Sequence, residues 1–557
     1  VTLTGVFEGL DDLARASDEL ARALDPEGEA GGVRATVGAI LMSVGFAPDV
    51  LDFIDLDGRH VVELRYPIQG ELSGPQDVTV AARMALKNVG QFLASIPRSS
   101  APQPLGGGLW ELRLDDTTKL LLREQADGIE LGLQPADLDR ARELPKAVGD
   151  GARLRLRADD IPTDEVDVVE LFDLPVGEAT AQAINGVIRE LESVGVGLDF
   201  GTRRDLRADA FAVAPFSRLG LGPLGAARTD PTALERALPP RPLALVTMSW
   251  GSPELLHRNL DKLVDLASIQ TPFDAQLRDM LRQAHATLDA IASDVGLGVY
   301  YEPAKGKVGL VLAATVRDAG QARAALRTVM EATAKAFEVY NVLTGKNPDL
   351  RWRVSYRPDG LRFTNGGADH LTVGFPPAAK ADLKPAEFVL GAKGLDLEIV
   401  ATDVRGRDGS SVVLLTAGAG ARTIAAASHR QATAGGPSAA DDIGLARLRA
   451  ALGGCQICMT VDVVHTAQFS AMVQAIAQDT AMRKRTKAAS AQLAKLAPSG
   501  AALALGARIE PGRASGAGLL TRELFGASPA FWRALVELSA GDDATALGEL
   551  VEALPSG

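Results

Sequence analysis

Val194-Gly195-Val196-Gly197-Leu198-Asp199-Phe200 is echoed later in the chain by Val295-Gly296-Leu297-Gly298-Val299-Tyr300-Tyr301. Each stretch reads as the opening strand of a hairpin, and larger blocks recur around both. Repetition of this kind points to an architecture built by duplication, with a repeat too long for a solenoid. Four segments read as a buried strand, a short break and an amphipathic helix. They are Val1–Phe7 with Leu10–Leu24, Val166–Phe172 with Gly177–Leu191, Leu243–Trp250 with Pro253–Leu266, and Cys458–Val464 with a helix from Ala467 capped by Thr466. A hairpin follows each. Phe53–Leu56 turns through Asp57-Gly58 into Val61–Tyr66, and Val196–Phe200 turns into Ala208–Ala214. Leu297–Tyr301 turns through Lys305-Gly306 into Val308–Ala314, and Ala502–Ile509 turns into Gly516–Thr521.

The first and third blocks are extended. In the first, a helix is expected near Val78–Leu93, then strands at Leu109–Leu114, Lys119–Glu124 and Gly128–Leu133. In the third, a helix near Ala319–Phe337 precedes strands at Arg351–Tyr356, Gly360–Thr364 and His370–Phe375. The order long, short, long, short predicts a tandem duplication. The halves are 1–227 (units 1–160 and 161–227) and 228–557 (units 228–430 and 431–557), with the seam in Ser217–Pro242 and a flexible separator at Gln431–Asp442. Hairpin links and the lack of regular parallel crossovers predict an α+β fold, mainly antiparallel sheet packed by helices.

Composition narrows the function. The chain has 557 residues, 46% hydrophobic, 23% charged and only 4% aromatic, with net charge −13. The acidic balance and the shortage of aromatic stacking platforms argue against nucleic acid. Arg483–Lys487, the one basic cluster, falls late in a helix and reads as a solvated face. No stretch is long and apolar enough to span a membrane as a helix. Peripheral or lipid-anchored association stays open: a strand starting at Val1 suggests a trimmed or a processed chain, from which a leader or anchor could have been removed, and the absence of a leader proves nothing.

No motif for catalysis, cofactor or metal emerges. Gly220-Leu221-Gly222-Pro223-Leu224-Gly225 has dinucleotide spacing without the flanking strand, helix and acid, and reads as a linker. Gly418-Ala419-Gly420 precedes a helix and is a weak anion candidate. Cys455 and Cys458 read first as buried small apolar residues, with a local disulfide in an oxidising compartment as the second reading and redox or metal chemistry as the third. Histidines 60, 257, 285, 370, 429 and 465 are scattered singly, and Asp462 and His465 are expected on different faces of a strand-to-helix junction. Asp55–Gly58 lacks the closing glutamate of a calcium loop and reads as a turn.

The repeated order of strand, helix rich in Ala, Leu and Arg, and hairpin with a "DG" turn is carried by Val311–Met330 with Arg353–Gly360 and by Val61–Gln91 with Asp127–Arg142. In this it resembles a loose group of large uncharacterised exported bacterial proteins. The resemblance implies export, to the periplasm or outer envelope, and transfers no catalytic residue. A non-catalytic scaffold or binding partner in the envelope is the leading expectation. A carrier of lipid or another apolar ligand is second, and a hydrolase assembled from dispersed residues third; the cytoplasm is the alternative location.

Overall fold

The computed structural model describes residues 2–9, 50–65, 78–96, 101–113, 118–144, 152–160, 185–200, 205–219, 224–251, 288–302, 307–343, 347–364, 366–377, 396–477, 480–498 and 500–535 (save 526, 529 and 533), with a few single positions between them such as His257 and His285. The chain forms two compact units, Val1–Leu219 with Ile509–Pro529, and Gly220–Arg508 with Ala530–Gly557. The fold is mixed α+β, dominated by antiparallel sheet.

Unit one holds β1 (Thr2–Glu8), β2 (Arg59–Arg65), β3 (Thr79–Ala85), β4 (Gln103–Gly106), β5 (Leu109–Arg113), β6 (Lys119–Gln125), β7 (Gly128–Gly132), β8 (Ala152–Asp159), β9 (Ser193–Phe200) and β10 (Leu206–Val213). Unit two holds β11 (Ala244–Ser249), β12 (Ile291–Glu302), β13 (Lys307–Val316), β14 (Arg353–Phe363), β15 (Gly366–Gly374), β16 (Asp396–Arg405), β17 (Ser411–Ala417), β18 (Ile457–Val461) and β19 (Leu503–Glu510). The chain then returns to unit one for β20 (Arg513–Leu520), which pairs with β10.

Strand order in unit one is β4-β5-β6-β7-β3-β2-β1-β8-β9-β10-β20. In unit two it is β14-β15-β16-β17-β13-β12-β11-β18-β19, and every pairing cited is antiparallel. In unit two one sheet face is closed by short helices. Leu234 and Ala237 of the helix Ala233–Ala237, and Ile424 and Ala432 of the helix Ala421–Ala434, pack on Leu245, Val311, Ala313, Val412 and Leu414. The long helix Ala319–Leu343 lies on the other face. Its Met330 and Ala334 meet Leu371, Ala401 and Leu415, and its Ala322 meets Val413 and Ala314. In unit one, Val50, Leu86, Phe92, Leu122 and Ile129 build a separate core.

Several expectations are corrected. The helix expected at Val78–Leu93 is β3 followed by a helix at Val89–Ser95 capped by Asn88, because Thr79–Ala85 is drawn between β2 and β7. The two strands expected across Arg351–Thr364 are one strand, β14, with an irregularity between Arg357 and Leu361. The expected separator Gln431–Asp442 is ordered, since Ser438 caps the turn Ala439–Asp441 and Asp442 caps the helix Ile443–Leu452. Thr466 is not a cap: β18 stops at Val461 and the helix Val463–Ala477 begins directly. Sequence reading missed β8, whose alternating arginines mask its apolar face. The elements expected at Leu10–Leu24, Val166–Phe172 and Pro253–Leu266 lie outside the described residues, as does most of Gly177–Leu191.

Cys455 and Cys458 are joined in a disulfide with Cα atoms 6.0 Å apart, and both side chains are buried. The bond ties the turn after the helix Ile443–Leu452 to the start of β18. So short a loop restricts the unfolded chain only modestly, and its loss should cost about 2 kcal/mol. Thermal unfolding of the Cys455→Ala, Cys458→Ala double variant checks this; an unchanged midpoint would show that the bond contributes nothing.

Candidate ligand-binding face

The alternation of glycine with aliphatic residues that opens the sequence reading sorts two sheet faces. On β12, a Cβ added at Gly296 would stand 3.0 Å from Leu234 Cδ2, and one at Gly298 2.9 Å from Val311 Cγ1. Glycine thus leaves room on the closed face for the side chains of Leu234 and Val311 to approach the strand. Val295, Leu297 and Val299 project from the opposite face. The register then lines up three apolar rows across β19, β18, β11, β12 and β13. The central row is Leu505, Met459, Val246, Leu297 and Leu312. On one side lie Ala507, Ile457, Met248, Val295 and Ala314, and on the other Leu503, Val461, Ala244, Val299 and Leu310.

No charged or hydrogen-bonding side chain interrupts these rows, which span about 19 Å across the strands at a spacing of about 4.8 Å. Leu297 is 53% exposed and Leu312 52% exposed, large values for leucines in the middle of a sheet. Two helices bound the strip. Ala319–Leu343 covers Leu415, next to Leu312 on β17, and Phe469 of Val463–Ala477 meets Tyr301 of β12 edge-on at 5.8 Å between ring centres. Each of the five strands is paired on both sides within the sheet or continues a ladder, so the backbone there is committed to the sheet. The surface rewards only an apolar occupant.

The histidines are not isolated, contrary to their scatter in sequence. His257 and His285 face each other through their Nδ1 atoms, and His257 Nε2 lies 2.9 Å from Asp289 Oδ1. His429 Nε2 lies 2.8 Å from Thr402 Oγ1, with both residues buried. Asp462 and His465, expected on different faces, are together: Asp462 accepts from the His465 N–H at 2.9 Å and lies 3.5 Å from its ring. The correction follows from the early helix start, which makes Asp462 the cap and places His465 in the first turn.

A catalytic triad needs the two nitrogens of its histidine to face different partners. At His370, Thr372 Oγ1 (3.3 Å), an Arg422 N–H (3.4 Å) and Glu398 (3.9 Å) all crowd Nε2. Thr402 and His429 are shut from solvent. Among the described residues, no hydroxyl or thiol hydrogen-bonds to the ring of His465. No group of three or more His, Cys, Asp or Glu among the described residues could hold a metal ion.

The remaining motifs resolve into structure. At Gly418–Gly420, the N–H groups of Gly418 and Gly420 donate to Glu398 and Val308, which leaves a poor anion cradle. Gly225 accommodates Trp250, whose backbone oxygen would stand 2.5 Å from a Cβ there. A cleft of about 680 Å³ near Ala233–Ala237 is lined by Arg236, Arg407, Asp408, Ser410 and Asp441; Arg236 pairs with Asp408 at 3.4 Å, Arg407 donates to the Thr433 carbonyl, and Asp441 accepts from the Ser438 N–H. Arg323 and Arg327 of the long helix are similarly consumed by Asp359, Asp369 and Asp403.

Burial holds His60, His370, His429 and His465 below the ordinary imidazole pKa of 6.5. The fold thus favours their neutral forms. This contribution is present above pH 6.5 and lost as pH falls through the lowered values. Asp442 works oppositely: burial raises its pKa, so its contribution is present at low pH and lost as pH rises. With four groups against one, the unfolding temperature should fall as pH is lowered from 7 to 5, and His429→Gln should flatten that slope. A midpoint constant over this range would refute the assignment.

In comparisons with known families, curated proteins and solved structures, nothing matches this chain.

Proposed function

We propose that this chain is a non-catalytic, exported binding protein that holds the apolar part of a lipid on the open sheet face of its second unit. The supporting observation is the three-row strip centred on Leu297 and Leu312, apolar throughout, half open to solvent and walled by helices. The buried Cys455–Cys458 disulfide supports export, because such bonds persist in oxidising compartments. Among the described residues no helix is long and apolar enough to cross a membrane, so envelope association would be peripheral or through an anchor.

A tandem duplication accounts for the strand order. Reading outward from β9, unit one runs β8-β1-β2-β3-β7-β6-β5; reading outward from β19, unit two runs β18-β11-β12-β13-β17-β16-β15. Each strand of the second series sits ten places after its counterpart in chain order. The sequence echo itself joins β9 to β12, which are not counterparts in this scheme. Their likeness reflects a shared demand for glycine on a crowded face.

Native mass spectrometry of gently purified protein, with organic extraction of what travels with it, tests the function. A stoichiometric lipid adduct is expected. A protein adduct in its place would move the reading to an envelope scaffold, and a bare chain that takes up no added oleic acid would end the lipid reading.

A further inference from the structure

We infer that the outer edge of β14 accepts an added strand from another protein, an extended acidic peptide. The edge lies four strands beyond β13, where the apolar rows end, so the inference stands apart from the lipid reading. β14 closes the strand order of unit two and pairs with β15 along one side. Among the described residues, its backbone bonds otherwise only through the Asp359 N–H, which donates to Asp369 Oδ1 at 2.8 Å. Alternate N–H and C=O groups therefore stay open on the outer side. Pro358 and the register shift after Arg357 confine the regular edge to Arg353–Arg357. Asn341 of the long helix fixes the approach to it, accepting from the Trp352 N–H at 2.9 Å and donating to the Trp352 carbonyl at 2.8 Å.

Strand alternation puts Arg353, Ser355 and Arg357 on one face, all exposed, and Val354 and Tyr356 on the other, against the long helix. Among the described residues, Arg357 and the preceding Arg351 form no ion pair. Arg353 lies 3.4 Å from Asp396, but that pair is open to water. Glu398, the next acid on the same face, is held by Arg422 at 2.7 Å. In a chain of net charge −13 this edge is basic. A cleft of about 620 Å³ opens where β14 begins, lined by Trp352, Val354, Phe375, Arg351 and Arg353, with Glu338 its one acid.

These features select the occupant by chemistry. An added strand completes a ladder with the open backbone groups, which a lipid, a sugar or a nucleic acid cannot do. Its side chains must be acidic beside Arg353 and Arg357 and apolar beside Val354 and Tyr356. Charge opposes a second copy of this chain. β14 paired antiparallel with itself about Ser355 would set Arg353 of one chain opposite Arg357 of the other.

Fluorescence anisotropy of the full chain with a labelled synthetic peptide of alternating glutamate and valine tests this. Wild type should bind it and should reject the same peptide with lysine in place of glutamate. Arg353→Glu with Arg357→Glu should weaken binding of the glutamate peptide by roughly 10-fold or more and take up the lysine peptide, which also shows that the variant is folded. N-methylation removes the peptide's own N–H donors. Methylating one alternate set of its residues should abolish binding, and methylating the other should leave it intact. No binding of the glutamate peptide to wild type, or equal binding of the lysine peptide, overturns the inference. So does unchanged affinity in the double variant, or equal affinity of the two methylated forms, since no ladder would then be forming.

Discussion

Replacing Arg449 with methionine is expected to destabilise unit two by about 3–5 kcal/mol. Arg449, on the helix Ile443–Leu452, is 2% exposed, and its partner Glu235, on Ala233–Ala237, is fully buried. The Glu235 carboxylate also accepts from the Thr232 N–H at 3.0 Å and the Thr247 hydroxyl at 3.1 Å, while its own N–H donates to Thr232 Oγ1 at 3.2 Å. It therefore closes a capping box, anchors to β11 and joins two helices far apart in sequence. Removing the guanidinium strands a carboxylate in the core. Glu235→Gln combined with Arg449→Met should be milder than Arg449→Met alone, because glutamine keeps one oxygen to accept from the Thr232 N–H and can donate its NH2 to the Thr247 hydroxyl oxygen, without a charge. Urea unfolding midpoints read both effects. A double variant as damaged as the sum of the singles would show that the charge itself is not what matters.

The second large effect is on binding. Leu297→Asp with Leu312→Asp places two carboxylates in the middle of the strip, on neighbouring strands and directly paired. An aliphatic chain over them would have to strip their hydration with no cation in the rows to compensate. Affinity for oleic acid should fall on the order of 100-fold. Both leucines are half exposed, so the free protein should keep its secondary structure and most of its stability. Leu297→Met, which preserves volume and apolarity, should bind as wild type does. Unchanged oleate affinity in the double aspartate variant would remove this face as the ligand site.

The strands at Val194–Phe200 and Val295–Tyr301 were legible because glycine alternating with aliphatic residues has the period of a strand and of nothing else. The long helix after Asp318 was equally legible through helical periodicity, but the hairpin expected at Asp57-Gly58 is only a turn: Phe53 ends the helix Val50–Phe53, Ile54 bridges Leu86, and Arg59–Arg65 pairs with β1 and β3 instead of with Phe53–Leu56. Thr79–Ala85 misled because its small residues suit a helix, and only pairing with β2 and β7 makes it a strand. Asp462 and His465 misled because their relation depends on where a helix starts, a boundary set by capping geometry within one or two residues.

The sequence by itself determined the α+β class, the local strands and the absence of a recognisable reaction motif, since each is written in short-range periodicity or spacing. The strip was out of its reach. Leu505, Met459, Val246, Leu297 and Leu312 are scattered across more than half of unit two, and cross-strand register alone makes them neighbours. Which sheet face the described helices close was likewise decided by packing, where Leu234 against Gly296 seals one side and the aliphatic rows project from the other.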